Sequence, residues 1–367
     1  MYFYGGERTM ANGAKPRLYG YDNIKFILIF LVVLGHLLEI GSPFPEKEML
    51  YKLIYSCHMP VFIFISGFFA KFNSSKIVFH QIYPYLLFQG LYIAFHYLVL
   101  YPNADGTVPW QFTTPYWLLW YLMAMIFYYM LTPLLNQQKI WQCAIVVALC
   151  CALSILVGYE TEIGYFLTLS RFFVFLPYFV LGYYIGRHKA ALSQFWSKLS
   201  VKNVLPAVVC TVAAAGAVQY LLQDTVIKSN MMYGSYSYAA AWYSAEIRIK
   251  LLGIGIIWAA FFLFVLVPLL NHKLPLVSAI GKNTLPIFLL HGFFMRYAGA
   301  EGVFTQAAQG DLTELVLCAL AILFVLGNSL VAKVFPYIFS GGVLERIWHF
   351  ERKEKSEKTD SNQEGLV

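Results

Sequence analysis

Few side chains in this sequence can do chemistry, and three of them share the first apolar run. Asp22, Lys25 and His36 stand in the order Asp-x-x-Lys followed eleven positions later by His. At 100° per residue, eleven positions leave about 20° after three turns, so a helix places Lys25 and His36 on one face about 16 Å apart. Asp22 lies within about a turn of that stripe. Such a face offers a cation near one end, suited to an anionic ligand, and an imidazole near the other, suited to proton transfer at neutral pH. The plainer alternative is that Lys25 extends to the membrane surface beside Asp22 and that His36 is an interfacial histidine.

A second cluster reads Cys57, His58, Met59, Pro60, then Val61 to Ser66 and Gly67. His58 falls near the end of its run on the side expected for His36. Ser66 and Gly67 are small, and close helix approach is the leading explanation for that pair. Arg171 and His291 lie deeper in apolar surroundings, where ionisable groups are costly and default to functional candidates. Arg296 accompanies His291. Glu246, Arg248 and Lys250 open a later run and read best as an interfacial ion-pair network. His80, His96, His188, His272 and His349 fall near interfaces or in connecting segments and are assigned no chemistry. Cys57, Cys143, Cys150, Cys151, Cys210 and Cys318 lie in or beside apolar segments without metal-type spacing, so they read as small membrane residues and no metal is expected. The sequence has no His-Glu-x-x-His, P-loop or Gly-x-Ser-x-Gly, which leaves zincin, NTPase and α/β-hydrolase readings without support.

The elements that must position these groups are set by composition. Of 367 residues 59% are hydrophobic and only 12% charged, against about 25% charged in soluble domains. That excludes a soluble enzyme and a disordered chain. Long unbroken runs such as 24–38 disfavour a β-barrel, whose strands alternate. The expected fold is an all-α polytopic integral membrane helix bundle of about ten transmembrane helices. The runs fall at 22–40, 53–70, 78–101, 116–135, 140–158, 164–186, 203–222, 242–270, 275–297 and 312–338. Residues 1–20 form an N-terminal segment, 21–340 a single membrane domain and 341–367 a charged tail.

Lys71, Lys76, Lys139, Arg187, Lys189, Lys198, Lys202 and Lys273 gather in the loops on one side. The other side carries mainly acidic residues, including Asp105, Glu160, Glu162 and Asp224. This positive-inside pattern puts both termini in the cytoplasm. The tail basics Arg346, Arg352, Lys353, Lys355 and Lys358 then lie near the inner leaflet. The first helix reads as an uncleaved signal anchor behind Arg8, Lys15 and Arg17, and Met10 could replace Met1 as the start without touching a motif. The net charge of +7 is scattered, so no nucleic-acid partner is expected. On these features alone a polytopic transporter or flippase ranks ahead of an enzyme.

Longer motifs change that ranking. Residues 21–36, Tyr-Asp-Asn-Ile-Lys through Leu-Gly-His, resemble the first-helix signature of the membrane acyltransferase-3 family. His58 to Phe69 is similar to its Pro-Val-Phe-Phe-x-x-Ser-Gly-Phe pattern. Tyr116 to Pro133, Arg171 to Gly182 and Gly281 to His291 are similar to further family segments, in the right order across residues 18–340. The fucose 4-O-acetylase-like, or polysaccharide O-acetyltransferase, branch is the nearest likeness. Lys25 stands where arginine is common, which keeps the charge but loses the planar fork. Phe288 stands where tyrosine is frequent.

The resemblance implies an integral plasma-membrane O-acyltransferase. It would carry an acetyl or similar short acyl group from acetyl-CoA to a hydroxyl of a cell-envelope carbohydrate or its lipid-linked precursor, among membrane lipids. Hand-over would be completed by the membrane domain or a partner. On that reading Lys25, oriented by Asp22, holds the donor, His36 is the general base of a direct transfer or the carrier of a covalent acyl-histidine, and Arg171 faces the developing oxyanion. His291 and His58 are further candidates for the base, and His58 and Ser66 lie on the substrate side. Trp117, Trp120 and Tyr121 could stack on sugar faces, although belt or core packing is the commoner role of membrane aromatics.

Overall fold

The computed structural model describes residues 18–100, 110–197, 201–305, 311–328, 330–331, 336–339 and 341. Met1, Met10, Arg8, Lys15, Arg17, Asp105, Lys198, His349 and the basic residues of the tail lie outside these segments.

The apolar runs fold as helices because a chain in hydrocarbon must satisfy its backbone N–H and C=O groups within each segment. Eight described helices are long and apolar enough to cross a membrane. They are α1 (Tyr19–Ile40), α2 (Lys47–Phe69), α3 (Ser74–Leu100), α4 (Trp117–Leu134), α5 (Ile140–Tyr159), α6 (Phe166–Arg187), α7 (Val204–Gln223) and α8 (Ala245–Leu269). Three shorter helices follow: α9 (Pro275–Lys282), α10 (Thr284–Ala300) and α11 (Leu312–Leu326). No strand occurs among the described residues. The architecture is the all-α membrane bundle expected from composition.

Three expected spans differ from the helices observed; in the run at 312–338 the first helix stops at Leu326, with Gly327 as its C-cap. The run at 275–297 is broken at Asn283, whose backbone leaves helical geometry (φ −109°, ψ 41°). Pro286 explains the break: inside one continuous helix its ring would clash with the Lys282 carbonyl, whereas in the first turn of α10 its missing N–H costs nothing. The run at 242–270 starts helically only at Ala245. Trp242 has a left-handed backbone (φ 54°), and the Ser244 side chain caps α8 by accepting from the Ile247 N–H.

The expected ion-pair network at the start of α8 also needs correction. Glu246 pairs with Lys250 one turn away at 2.7 Å. Arg248, two positions from each, projects from the opposite side of the helix. It is buried and donates to the Tyr243 hydroxyl, with its guanidinium over that ring.

α1 occupies the middle of the bundle, touching α2, α9, α10 and α11, while α2 packs most extensively on α6. That seam brings backbone against backbone. Gly67 faces the Phe179 carbonyl, Gly182 the Phe64 carbonyl and Gly186 the Phe68 carbonyl, so a Cβ at any of the three would collide. Gly182 and Gly186 are four apart and share one face of α6, the small-residue spacing that lets membrane helices approach closely. The seam fixes α2, which carries His58 and Ser66, against α6, which carries Arg171.

Candidate active site

Two cavities lie in succession along α1. The first, about 280 Å³, is lined by His36, Glu39, His58 and Arg171 together with aromatic side chains that include Trp117, Trp120, Tyr165 and Tyr236. The second, about 330 Å³, is lined by Lys25, Ser66, His80, Gln81 and Tyr121 among others. Val32, Met59 and Phe288 line both.

The hydrogen bonds of the histidines fix their tautomers. His291 Nδ1 lies 2.8 Å from the Ile287 carbonyl, which can only accept, so Nδ1 carries the proton. In the neutral ring Nε2 is then an acceptor, and at 3.0 Å it takes its hydrogen bond from His36 Nδ1. His36 Nε2 is left as a bare lone pair. The two rings lie parallel within 4°, and Trp117 closes on His36 with ring centroids 4.5 Å apart. Trp117 itself has φ 38°, a conformation that costs a bulky residue about 1–3 kcal/mol and recurs at functional sites. His58 donates from Nδ1 to the Ile54 carbonyl at 2.6 Å, which leaves its Nε2 as an acceptor too.

One turn beyond His36 on the same face, Glu39 gathers tyrosines. Its Oε1 accepts from Tyr51 at 2.6 Å, Tyr55 at 2.9 Å and Tyr233 at 3.4 Å. Burial, with the nearby carboxylate, pushes the Tyr233 phenol up to about 12, so it remains a donor at neutral pH. Across the cavity the Arg171 guanidinium sits over the Trp120 and Tyr165 rings at 5.0 and 5.4 Å. It donates to the Tyr233 carbonyl at 3.1 Å and to Ser235 Oγ at 3.4 Å. Among the described residues no carboxylate lies within ion-pair distance of it. Its positive charge is held by dipoles and ring faces and stays available to an incoming anion.

In the second cavity Lys25 Nζ is 3.0 Å from the Asp22 carboxylate, one turn earlier on α1. Ser66 Oγ donates to the Phe62 carbonyl at 2.8 Å and lies 2.7 Å from the Tyr121 hydroxyl, which must donate to it. Gln81 sits in a π-helical turn of α3, Val78–Ile82, a distortion often found at functional sites. Its Oε1 is buried without a hydrogen-bond donor among the described residues. No group of three or more His, Cys, Asp or Glu side chains among those residues is arranged to hold a metal ion.

The candidates thus separate. His36, His58 and Arg171 meet in one cavity, while Lys25 and Ser66 line the other with Asp22 beside Lys25. Ser66 and His58, paired in the sequence reading, do not share a site. His291 is fully buried and touches the first cavity through His36. Arg296 turns elsewhere and donates to the Tyr116 hydroxyl at 3.2 Å. Sequence reasoning overlooked Glu39 and Gln81. The His36-x-x-Glu39 spacing was the available signal for the first, and nothing local marked the second.

The profile of the acyltransferase-3 family, described as an acyltransferase domain, matches residues 18–327. The chain belongs to the acyltransferase-3 family. The acyltransferase domain so defined includes every residue of both cavities. The nodulation protein NolL of Sinorhizobium fredii (strain NBRC 101917 / NGR234) is 42% identical over 69 residues, 16% of this chain and 17% of NolL. The similarity therefore spans about a sixth of that relative's length. No solved structure matches.

Proposed function

We propose that the protein is a multi-pass membrane O-acyltransferase that moves an acetyl group from acetyl-CoA to a hydroxyl of a cell-envelope carbohydrate or its lipid-linked precursor. The observation that carries this reading is His36 Nε2. It is a lone pair held in place by His291, in a cavity that adjoins a second, Lys25-bearing cavity within an acyltransferase-family chain.

Acetyl-CoA enters the Lys25 cavity from the cytoplasm, the side on which the basic loops and both termini are placed by the positive-inside pattern in a plasma membrane. Lys25, oriented by Asp22, attracts the donor's phosphates. Gln81 Oε1 offers an acceptor to an amide N–H of the pantetheine arm. The acceptor sugar lies against Trp117 and Trp120 with its hydroxyls toward Glu39 and His36. Its reacting hydroxyl gives its proton to His36 Nε2 as its oxygen attacks the thioester carbonyl carbon. The C–O bond forms, the C–S bond breaks, and the imidazolium passes the proton to the departing sulfur, giving an ester and free CoA thiol. General-base help of this kind is typically worth about 10²–10⁴ in rate. Arg171 supplies a fixed positive charge for the carbonyl oxygen as it becomes negative. His58, with an acceptor nitrogen in the same cavity, orients a second sugar hydroxyl. Ser66 braces the donor cavity through Tyr121.

The test is mass spectrometry of envelope glycans from cells with the protein, without it, and with His36→Ala at matched membrane abundance. A mass gain of one acetyl group that requires His36 is expected. Unchanged glycan masses in all three overturn the proposal and leave transport as the better reading.

A further inference from the structure

Three side chains stand between the two cavities: Val32 of α1, Met59 of α2 and Phe288 of α10. Helix geometry places them there together. On α1, Val32 is seven residues from Lys25 and four from His36, steps of about 10 and 6 Å along one face. On α2, which runs the opposite way, Met59 is seven residues from Ser66. On α10, Phe288 lies one turn before His291. Its ring packs edge-on against Tyr121, centroids 5.4 Å apart, and 6.4 Å from the His291 ring. Val32 is 3% exposed and Phe288 8%, and neither they nor Met59 carry a hydrogen-bond donor on the side chain.

An acyl carbon that reacts with an oxygen beside His36 must come within about 3–3.5 Å of it. A donor anchored at Lys25 therefore brings its thioester to this partition. The C–S bond to CoA breaks there, the C–O bond to the acceptor forms, and the hydroxyl proton ends on the CoA thiol. The tail of the acyl group meets Val32, Met59 and Phe288 throughout. Apolar walls suit a methyl group, whereas a carboxylate buried among them is strongly disfavoured, because they offer it no donor and the Arg171 charge in the adjoining cavity is engaged by the carbonyl oxygen.

We propose that Val32, Met59 and Phe288 form the acyl-selecting element of the enzyme, admitting a short uncharged acyl group and rejecting butyryl by size and succinyl by charge. This rests on the acyl-transfer reading above.

The experiment uses opened membranes from cells that make the full chain and contain its acceptor. Acetyl-, propionyl-, butyryl- and succinyl-CoA, labelled in the acyl group, are supplied separately, and incorporation into the glycan fraction is measured. In the unaltered protein propionyl transfer should fall at least about tenfold below acetyl, the usual discrimination for one methylene in a tight apolar pocket. Butyryl should fall further, and succinyl should not exceed the His36→Ala background. Phe288→Ala and Met59→Ala should each raise the propionyl-to-acetyl ratio about tenfold, with succinyl still rejected. The ratio is taken within each variant, so lower abundance does not move it.

Butyryl or succinyl transfer at the acetyl rate by the unaltered protein overturns the proposal. So does an unmoved ratio in both alanine variants. If both truncations abolish transfer, Phe288→Leu and Met59→Leu provide the ratio, and the unaltered protein's donor series still decides. No transfer from any donor by the unaltered protein refutes the acyl-transfer reading itself, and the selectivity proposal with it.

Discussion

His291 is a positioning residue in this scheme, and its replacement separates that role from direct catalysis. Leucine at this fully buried site fills most of the space with an apolar side chain but removes the acceptor for His36 Nδ1–H. A buried donor left unmade costs about 1–3 kcal/mol. Expressed in the transition state, that is a loss of about 5- to 150-fold in rate. His36→Ala removes the base itself and should lose about 10²–10⁴.

His291→Gln places an amide oxygen near the lost nitrogen and should recover most of the activity. Because His291 works through His36, the double variant His36→Ala/His291→Leu should be no slower than His36→Ala alone. The assay is the initial rate of labelled acetyl transfer in membranes, normalised to folded protein, with kcat falling and KM for acetyl-CoA unchanged. Two results refute the reasoning. One is a His291→Leu rate as low as that of His36→Ala without rescue by glutamine, which makes His291 the base. The other is an undiminished rate, which leaves His291 without a positioning role in transfer.

Lys25→Ala should raise KM for acetyl-CoA about fivefold with little change in kcat, the worth of a partly solvated charge contact near 1 kcal/mol. Steady-state kinetics against donor concentration checks it. Arg171→Ala should lower kcat about 10²–10³, and Arg171→Lys should fall between because it keeps charge without a plane to lie on Trp120 and Tyr165. Full activity of Arg171→Ala in the same assay removes Arg171 from the chemistry. Gly182→Ala drives a Cβ into the Phe64 carbonyl and should cost about 1–3 kcal/mol of stability. Gly216→Ala on α7, with open space around it, should be nearly silent. Thermal unfolding of the detergent-solubilised variants compares them.

The face of α1 was legible in the sequence because one regular helix obeys one angular rule whatever packs around it. Lys25 and His36 do project along the same side, and Asp22 reaches Lys25 across one turn. Longer relations were not legible. The His36–His291 contact joins residues 255 positions apart, and only the packing of α10 on α1 brings them together. Ser66 and His58 looked like one cluster because they are close in sequence. Eight residues of helix separate them by about 12 Å and turn them about 80°, enough to put them in different cavities. The break at Asn283 escaped a hydropathy reading because Gly281, Lys282 and Asn283 interrupt an apolar stretch too briefly to look like a loop. Arg248 was grouped with its charged neighbours, although residues two apart on a helix face opposite ways.

The glycine seam has a mechanical meaning as well as a packing one. With backbone resting on backbone at Gly67, Gly182 and Gly186, α2 and α6 hold no side chains between them at those points that could repack into a second arrangement. His58 and Arg171, which ride on these helices, therefore keep a constant spacing as molecules come and go, like two jaws cut from one block. The segment that carries Met232, Tyr233 and Tyr236 into the same cavity is tied to this block as well, by the Ser170 hydroxyl on the Gly234 carbonyl, by Arg171 on the Tyr233 carbonyl and by the Tyr233 hydroxyl against that of Tyr51 on α2.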